Sequence, residues 1–106
     1  MSTINKVILI GHIGKEPDIR SLSNQSKVLS FPLATTELIR TGNQTKEITE
    51  WHNIIMWNQL AEAAHNALYK GVLVYVEGQI KTRSFVDSSG IKKYSTEVVA
   101  LGFRLL

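Results

Sequence analysis

No cysteine occurs anywhere in the 106 residues. That excludes disulfides and thiolate metal sites, and it suits a reducing cytosol. Long apolar runs are missing too. The first one, Val7 to Ile10, is far too short for a secretory signal or a membrane span, and no long apolar run stands behind the opening Met1-Ser2-Thr3-Ile4-Asn5-Lys6. The expectation is a soluble, cytoplasmic protein with no membrane partner. Charge of one sign is scarce: 12 Lys and Arg stand against 9 Asp and Glu, a formal net charge of +3. Such an excess permits an anionic partner without demanding one. The length is that of one domain, spanning residues 1–106, with enough chain for a real core but a thin stability margin.

Signatures of catalysis are equally sparse. His12, His52 and His65 have no metal-ligand spacing, and Gly11-His12-Ile13-Gly14 lacks the Gly-Lys-Ser/Thr ending of a phosphate loop. Glu47 and Glu50 fall on opposite faces of a strand, a poor start for a carboxylate pair, and there is no Gly-x-Ser-x-Gly elbow. No enzyme activity, cofactor or metal is expected.

What is present is β-strand patterning. Val7 to Ile13 is a β-branched run ending at glycines, and Gly14-Lys15-Glu16-Pro17-Asp18 is a breaker cluster. Ser21 to Lys27 is polar and turn-rich. Val28 to Thr36 reads as a second strand, with Pro32 marking an edge or a bulge. Thr41 to Lys46 reads as a polar, glycine-containing loop with room for mobility, and Glu47 to Trp57 as a long third strand. The period then changes. Leu60, Ala61, Ala64, Ala67 and Leu68 fall at helical spacing, with Asn58 placed to cap the helix and Gly71 to end it. Leu73 to Phe85 is a strand bending at Gly78, Asp87-Ser88-Ser89-Gly90 a hairpin turn, and Lys92 to Leu101 the last strand. Three strands, one helix and two strands give a mainly β fold: a five-stranded Greek-key barrel of the OB type, with one helix between the third and fourth strands.

Side chains alternate along a strand, so Trp51 and Trp57 share one face of the third strand with Thr49, Asn53 and Ile55. They could be core residues or a stacking platform, and this strand alone favours the core. The fourth strand shifts the balance. Lys81, Arg83 and Phe85 alternate with Thr82, Ser84 and Val86, and two cations with an aromatic beside a hairpin tip make poor core material. Lys92, Lys93 and Tyr94 begin the returning arm. Aromatics interleaved with Lys and Arg can hold a single nucleic-acid strand without reading its sequence.

These residues also carry a family resemblance. Asn5-Lys6-Val7-Ile8-Leu9-Ile10-Gly11 with Gly14 and Pro17, Thr49-Glu50-Trp51-His52, Tyr75 to Phe85, and Tyr94-Ser95-Thr96-Glu97-Val98-Val99 together resemble the bacterial single-stranded DNA-binding protein family over nearly the whole chain. The resemblance implies sequence-tolerant binding and protection of single-stranded DNA in replication, recombination and repair by a homotetramer with the strand wrapped over it. It implies base stacking on Trp51, Trp57 and Phe85, phosphate contacts from Lys6, Lys70, Lys81 and Arg83, and a place near a subunit interface for His52. Ile39 departs from the family's pattern, standing where many members carry an aromatic; Asn53 and Gln59 stand where some carry basic residues. No acidic tail follows Phe103-Arg104-Leu105-Leu106, so tail-dependent replication and repair partners are not expected for this chain. The alternative is a tail-less adaptor of the primosome type that mainly bridges proteins; a small OB-fold enzyme or RNA chaperone is a more distant one.

Overall fold

A computed structural model describes residues 2–106. Its strands are β1 (Val7–Ile13), β2 (Asp18–Ser21), β3 (Lys27–Thr41), β4 (Gln44–Trp57), β5 (Leu73–Val86) and β6 (Lys92–Leu105), with helix α1 (Asn58–Ala67) between β4 and β5. They form one sheet in the order β1-β5-β6-β4-β3-β2, and β1 also pairs with β3 through His12 opposite Ala34 and Ile13 opposite Leu33. That extra pairing closes the five long strands into a barrel. β4 and β6 run parallel where Ile54 meets Val98 and Ile55 meets Val99; the other pairings are antiparallel.

Closure decides which residues become core. Ile13, Leu29, Phe31, Leu33, Ile54, Met56, Val74 and Val76 fill the interior and are almost wholly shielded. Ala61 and Ala64 of α1, with Leu68 beyond it, join this cluster, so the helix's small-residue stripe packs against the barrel. No helix among the described residues is long and apolar enough to cross a membrane.

Four local readings of the sequence are corrected. β2 was not expected. Asp18–Ser21 pairs antiparallel with Lys27–Ser30, and only Ile19 between Asp18 and Arg20 betrays the strand period, over too few residues to stand out from the neighbouring breakers. The loop at Thr41–Lys46 is a tight hairpin instead: β3 and β4 stay paired up to Thr41 opposite Gln44, with Gly42 at φ +63° supplying the turn. Asn58 does not cap α1. It lies at φ +53°, Trp57 holds the extended N-cap position without a side-chain cap hydrogen bond, and Asn58 Oδ1 instead accepts the Lys27 amide at 3.0 Å. Gly71, at φ +90°, comes after the helix has ended at Ala67; its amide donates to the Ile13 carbonyl at 2.7 Å and leads the chain into β5.

The β3–β4 and β5–β6 hairpins run on past the barrel as two-stranded arms exposed on both faces. The tip of the second is tied by Asp87, whose Oδ1 accepts the Ser89 and Ile91 amides, each at 2.9 Å, with Lys93 Nζ 3.3 Å from Oδ2. The bend expected at Gly78 is a register shift between Glu77 and Gly78 in the β5–β6 ladder. A Cβ there would stand 2.2 Å from the Val99 carbonyl oxygen.

Two outcomes follow. Gly78→Ala should force β5 off β6 and cost about 1–3 kcal/mol, the usual range for overpacking; a denaturant midpoint equal to wild type would contradict this. The hydrogen bond from the Ile91 amide, foremost, holds the Asp87 carboxyl below its ordinary value of 3.8. A depressed carboxyl stabilises the folded tip above the unfolded pKa, and that contribution is lost as pH falls through the folded value. The Ser89 and Ile91 amide resonances should therefore shift with a midpoint below 3.8, and Asp87→Asn should abolish the transition.

Candidate nucleic-acid interface

The pleat of β4 sets the site. Ile54 and Met56 point into the barrel, so Trp51, Asn53, Ile55 and Trp57 point out. Ile55 is nonetheless buried, flanked in the sheet by Ser30 of β3 and Val99 of β6, and it forms the floor of an open groove of about 710 Å³. Leu22, Val28, Val99 and Trp57 complete the apolar part; Lys81 and Arg83 of β5, Glu97 of β6, and Asp18 and Arg20 of β2 supply the charge.

Both tryptophans are surface residues, which corrects the core reading that β4 alone favoured. Trp57 is 43% exposed and Trp51 61%. Trp57 lines the groove. Trp51 lies on the same face roughly 20 Å along the strand, and it is seated over Gly14. A Cβ at Gly14 would fall 2.4 Å from Trp51 Cζ3, so only glycine admits the ring in this position. Phe85 is 39% exposed, with the Arg83 guanidinium carbon 5.5 Å from its ring centroid. A cation so placed over an exposed ring is worth about 0.5–1 kcal/mol and orients both side chains.

Glu97 ties the strands of the groove together. It is only 7% exposed, accepts from Arg83 Nε at 3.1 Å through Oε1, and from Asn53 Nδ2 at 3.2 Å through Oε2. Because a carboxylate only accepts, the Asn53 amide must present its nitrogen to Glu97 and leave its oxygen free.

The structure thus gathers Trp57, Lys81 and Arg83 in one groove, with Phe85 beside Arg83. Lys6 and Lys70 are not brought there. Lys6 Nζ is 2.9 Å from Glu77 Oε1, next to a separate hollow lined by Tyr75, Glu77 and Arg104, and the hydrogen bond to Glu77 raises its pKa. Lys70 follows α1, its backbone amide donating to Glu16 Oε1 at 3.0 Å. His52 is half-buried, with Nε2 2.8 Å from Thr35 Oγ1 on β3. Among the described residues no cluster of three or more His, Asp or Glu could hold a metal ion.

Sequence reasoning missed Asp18, Arg20 and Glu97 as groove residues. For the first two, the signal was the polar-apolar-polar run Asp18-Ile19-Arg20. For Glu97 it was a lone carboxylate at the start of the apolar run Val98 to Leu101.

The model of the Single-strand binding protein family matches residues 4–106. The chain belongs to this family. A single-stranded DNA-binding protein of Bacteroides thetaiotaomicron is 43% identical over 107 residues, covering 98% of this chain and 66% of the relative, so the chain spans just under two thirds of that protein's length. Among solved structures, the Plasmodium falciparum SSB complex with ssDNA superposes with a TM-score of 0.87 at 34% identity, covering 100% of this chain and 97% of that one. The OB-type barrel read from the strand order is therefore the fold of this SSB-family chain.

The seat of Trp51 can be tested without any ligand. Gly14→Ala should push the indole off its platform. In a Trp57→Phe background, which leaves Trp51 as the only tryptophan, its emission should shift to the red while far-ultraviolet dichroism stays unchanged. An unaltered spectrum would show that Gly14 does not hold the ring.

Proposed function

We propose that this chain binds single-stranded DNA without reading its sequence and protects it during replication, recombination and repair. The observation that carries the proposal is the convergence of exposed Trp57 with Lys81 and Arg83 on one open groove. Membership of the single-strand binding family and the likeness to a structure containing ssDNA support the same reading. Bases stack on Trp57, Phe85 and Trp51, and Lys81 and Arg83 take the phosphates. Lys6 and Lys70 lie outside the groove and meet only a strand that continues past it. The protein acts without catalysis or cofactor, in the cytoplasm with the nucleoid.

A homotetramer is part of the proposal. β1 pairs with β5 from Val7 to His12 but meets β3 only at His12 and Ile13, so among the described residues its other edge is unpaired from Val7 to Gly11. Ile8 and Ile10 on its outward face are about half exposed. A bare edge beside an apolar face suits pairing with a second copy, and His52 sits near a contact between subunits.

Titration with oligo-dT tests the binding reading. Tryptophan emission should be quenched saturably. Trp57→Ala should weaken binding by roughly 1–3 kcal/mol with little change in salt dependence. Lys81→Ala should make the slope of log K against log salt shallower by about 0.7. If the chain fails to bind oligo-dT, or if Trp57→Ala binds as wild type does, the reading is wrong. Light scattering tests the assembly, and a monomer at micromolar concentration would overturn it.

A further inference from the structure

A groove that holds a polyanion would be expected to display its cations freely. This one does not. Arg20, Lys81 and Arg83 face Asp18 and Glu97, leaving one positive charge in excess. Arg20 Nε is 3.0 Å from Asp18 Oδ2, and Arg83 Nε is 3.1 Å from Glu97 Oε1. Lys81 makes no ion pair among the described residues, yet it stands directly opposite Glu97 in the ladder. Glu97 is also the one charged side chain buried among the described residues.

Resting on the function proposed above, we propose that Asp18 and Glu97 are specificity-determining residues that admit bases to the groove floor and reject phosphates. A strand lying with its bases inward brings neutral rings over the floor, where Trp57 offers stacking, and leaves its backbone at the rim. There each arginine is still a donor, because the carboxylate occupies only Nε and the terminal guanidinium nitrogens remain free for phosphate oxygens. A strand lying with its backbone inward, or a duplex whose bases are stacked away, must bring phosphate up to Glu97, a carboxylate shielded from water, and past the more exposed Asp18. Like charges at short range in a poorly screened site are costly, and a built-in repulsion of this kind separates two ligands that share the same attractive charge. The repulsion acts on the wrong orientation far more than on the right one, so it alters preference and not only overall affinity.

The test uses the whole chain and the variants Asp18→Asn, Glu97→Gln and both together, titrated with oligo-dT and with a dA–dT duplex of equal length at two salt concentrations. Each carboxylate removed leaves one more cation free to neutralise phosphate. On duplex that should steepen the salt slope by about 0.9 and raise affinity roughly eightfold at 0.1 M salt. On oligo-dT, whose phosphates already lie at the rim, the gain should be no more than about twofold to threefold, below the roughly fivefold that a full single-strand contact would give. The preference for the single strand therefore falls. Asp18 lies on the short outer strand and is largely exposed, so Asp18→Asn provides the answer even if Glu97→Gln loosens the barrel. Equal gains on both ligands, or a loss on oligo-dT in a folded Asp18→Asn variant, overturn the inference while leaving the function reading intact. Wild-type protein that binds neither ligand overturns both.

Discussion

Burial of Ile54 and Met56 inside the barrel governs everything on the other side of β4. The two residues touch the core from alternate positions of one strand, so the pleat has no freedom to present Trp51, Asn53, Ile55 or Trp57 anywhere but outward. Slipping the strand by one residue would bury two indoles and expose two of the best-shielded apolar side chains. The tryptophans thus stay at the surface because the core would lose more by taking them in. Closure of the sheet through β1 and β3 then curves that outward face, and β2 and β5 become the walls of a groove with Ile55 as its floor.

The groove's chemistry follows from which strands meet there. β4 and β5 are not neighbours in the sheet; β6 lies between them, and Glu97 on β6 reaches both, holding Asn53 on one side and Arg83 on the other. Arg83 in turn rests against Phe85. One buried carboxylate thereby orders an amide, a guanidinium and an aromatic ring along the path a strand would take. Because the charges nearly balance, the affinity proposed for this groove would come mainly from stacking. That fits a binder that must accept any base, since every base has a π-face.

The barrel was legible in the sequence because its long strands carry a clear period and α1 changes that period sharply after Trp57. Lys81, Arg83 and Phe85 were legible as surface residues because cations alternating with an aromatic cannot be core. The position of the tryptophans was not. On β4 they alternate with Ile54 and Met56, apolar on both sides, so only barrel closure decides which face is buried. β2 escaped notice because four residues hold barely one strand period. Asn58 looked like a helix cap by residue type, yet the backbone uses it at positive φ to turn from strand to helix, and its side chain is bonded to β3. Glu97 was visible only as part of a family-like string; its reach to two other strands depends on a register that no local pattern encodes.

The central claim is that a single strand lies across the face bearing Trp57 and Phe85, with bases inward. The most direct measurement is photocrosslinking of an oligo-dT carrying 5-iodouracil at successive positions, with the attachment sites mapped by mass spectrometry. The base carries the reactive group, so the map reports where bases rest. The account predicts adducts at Trp57 and Phe85, with Trp51 reached from positions further along the strand. Adducts concentrated instead at Tyr75 and its neighbours, around the hollow beside Lys6 and Glu77, would place the strand outside the groove and contradict it.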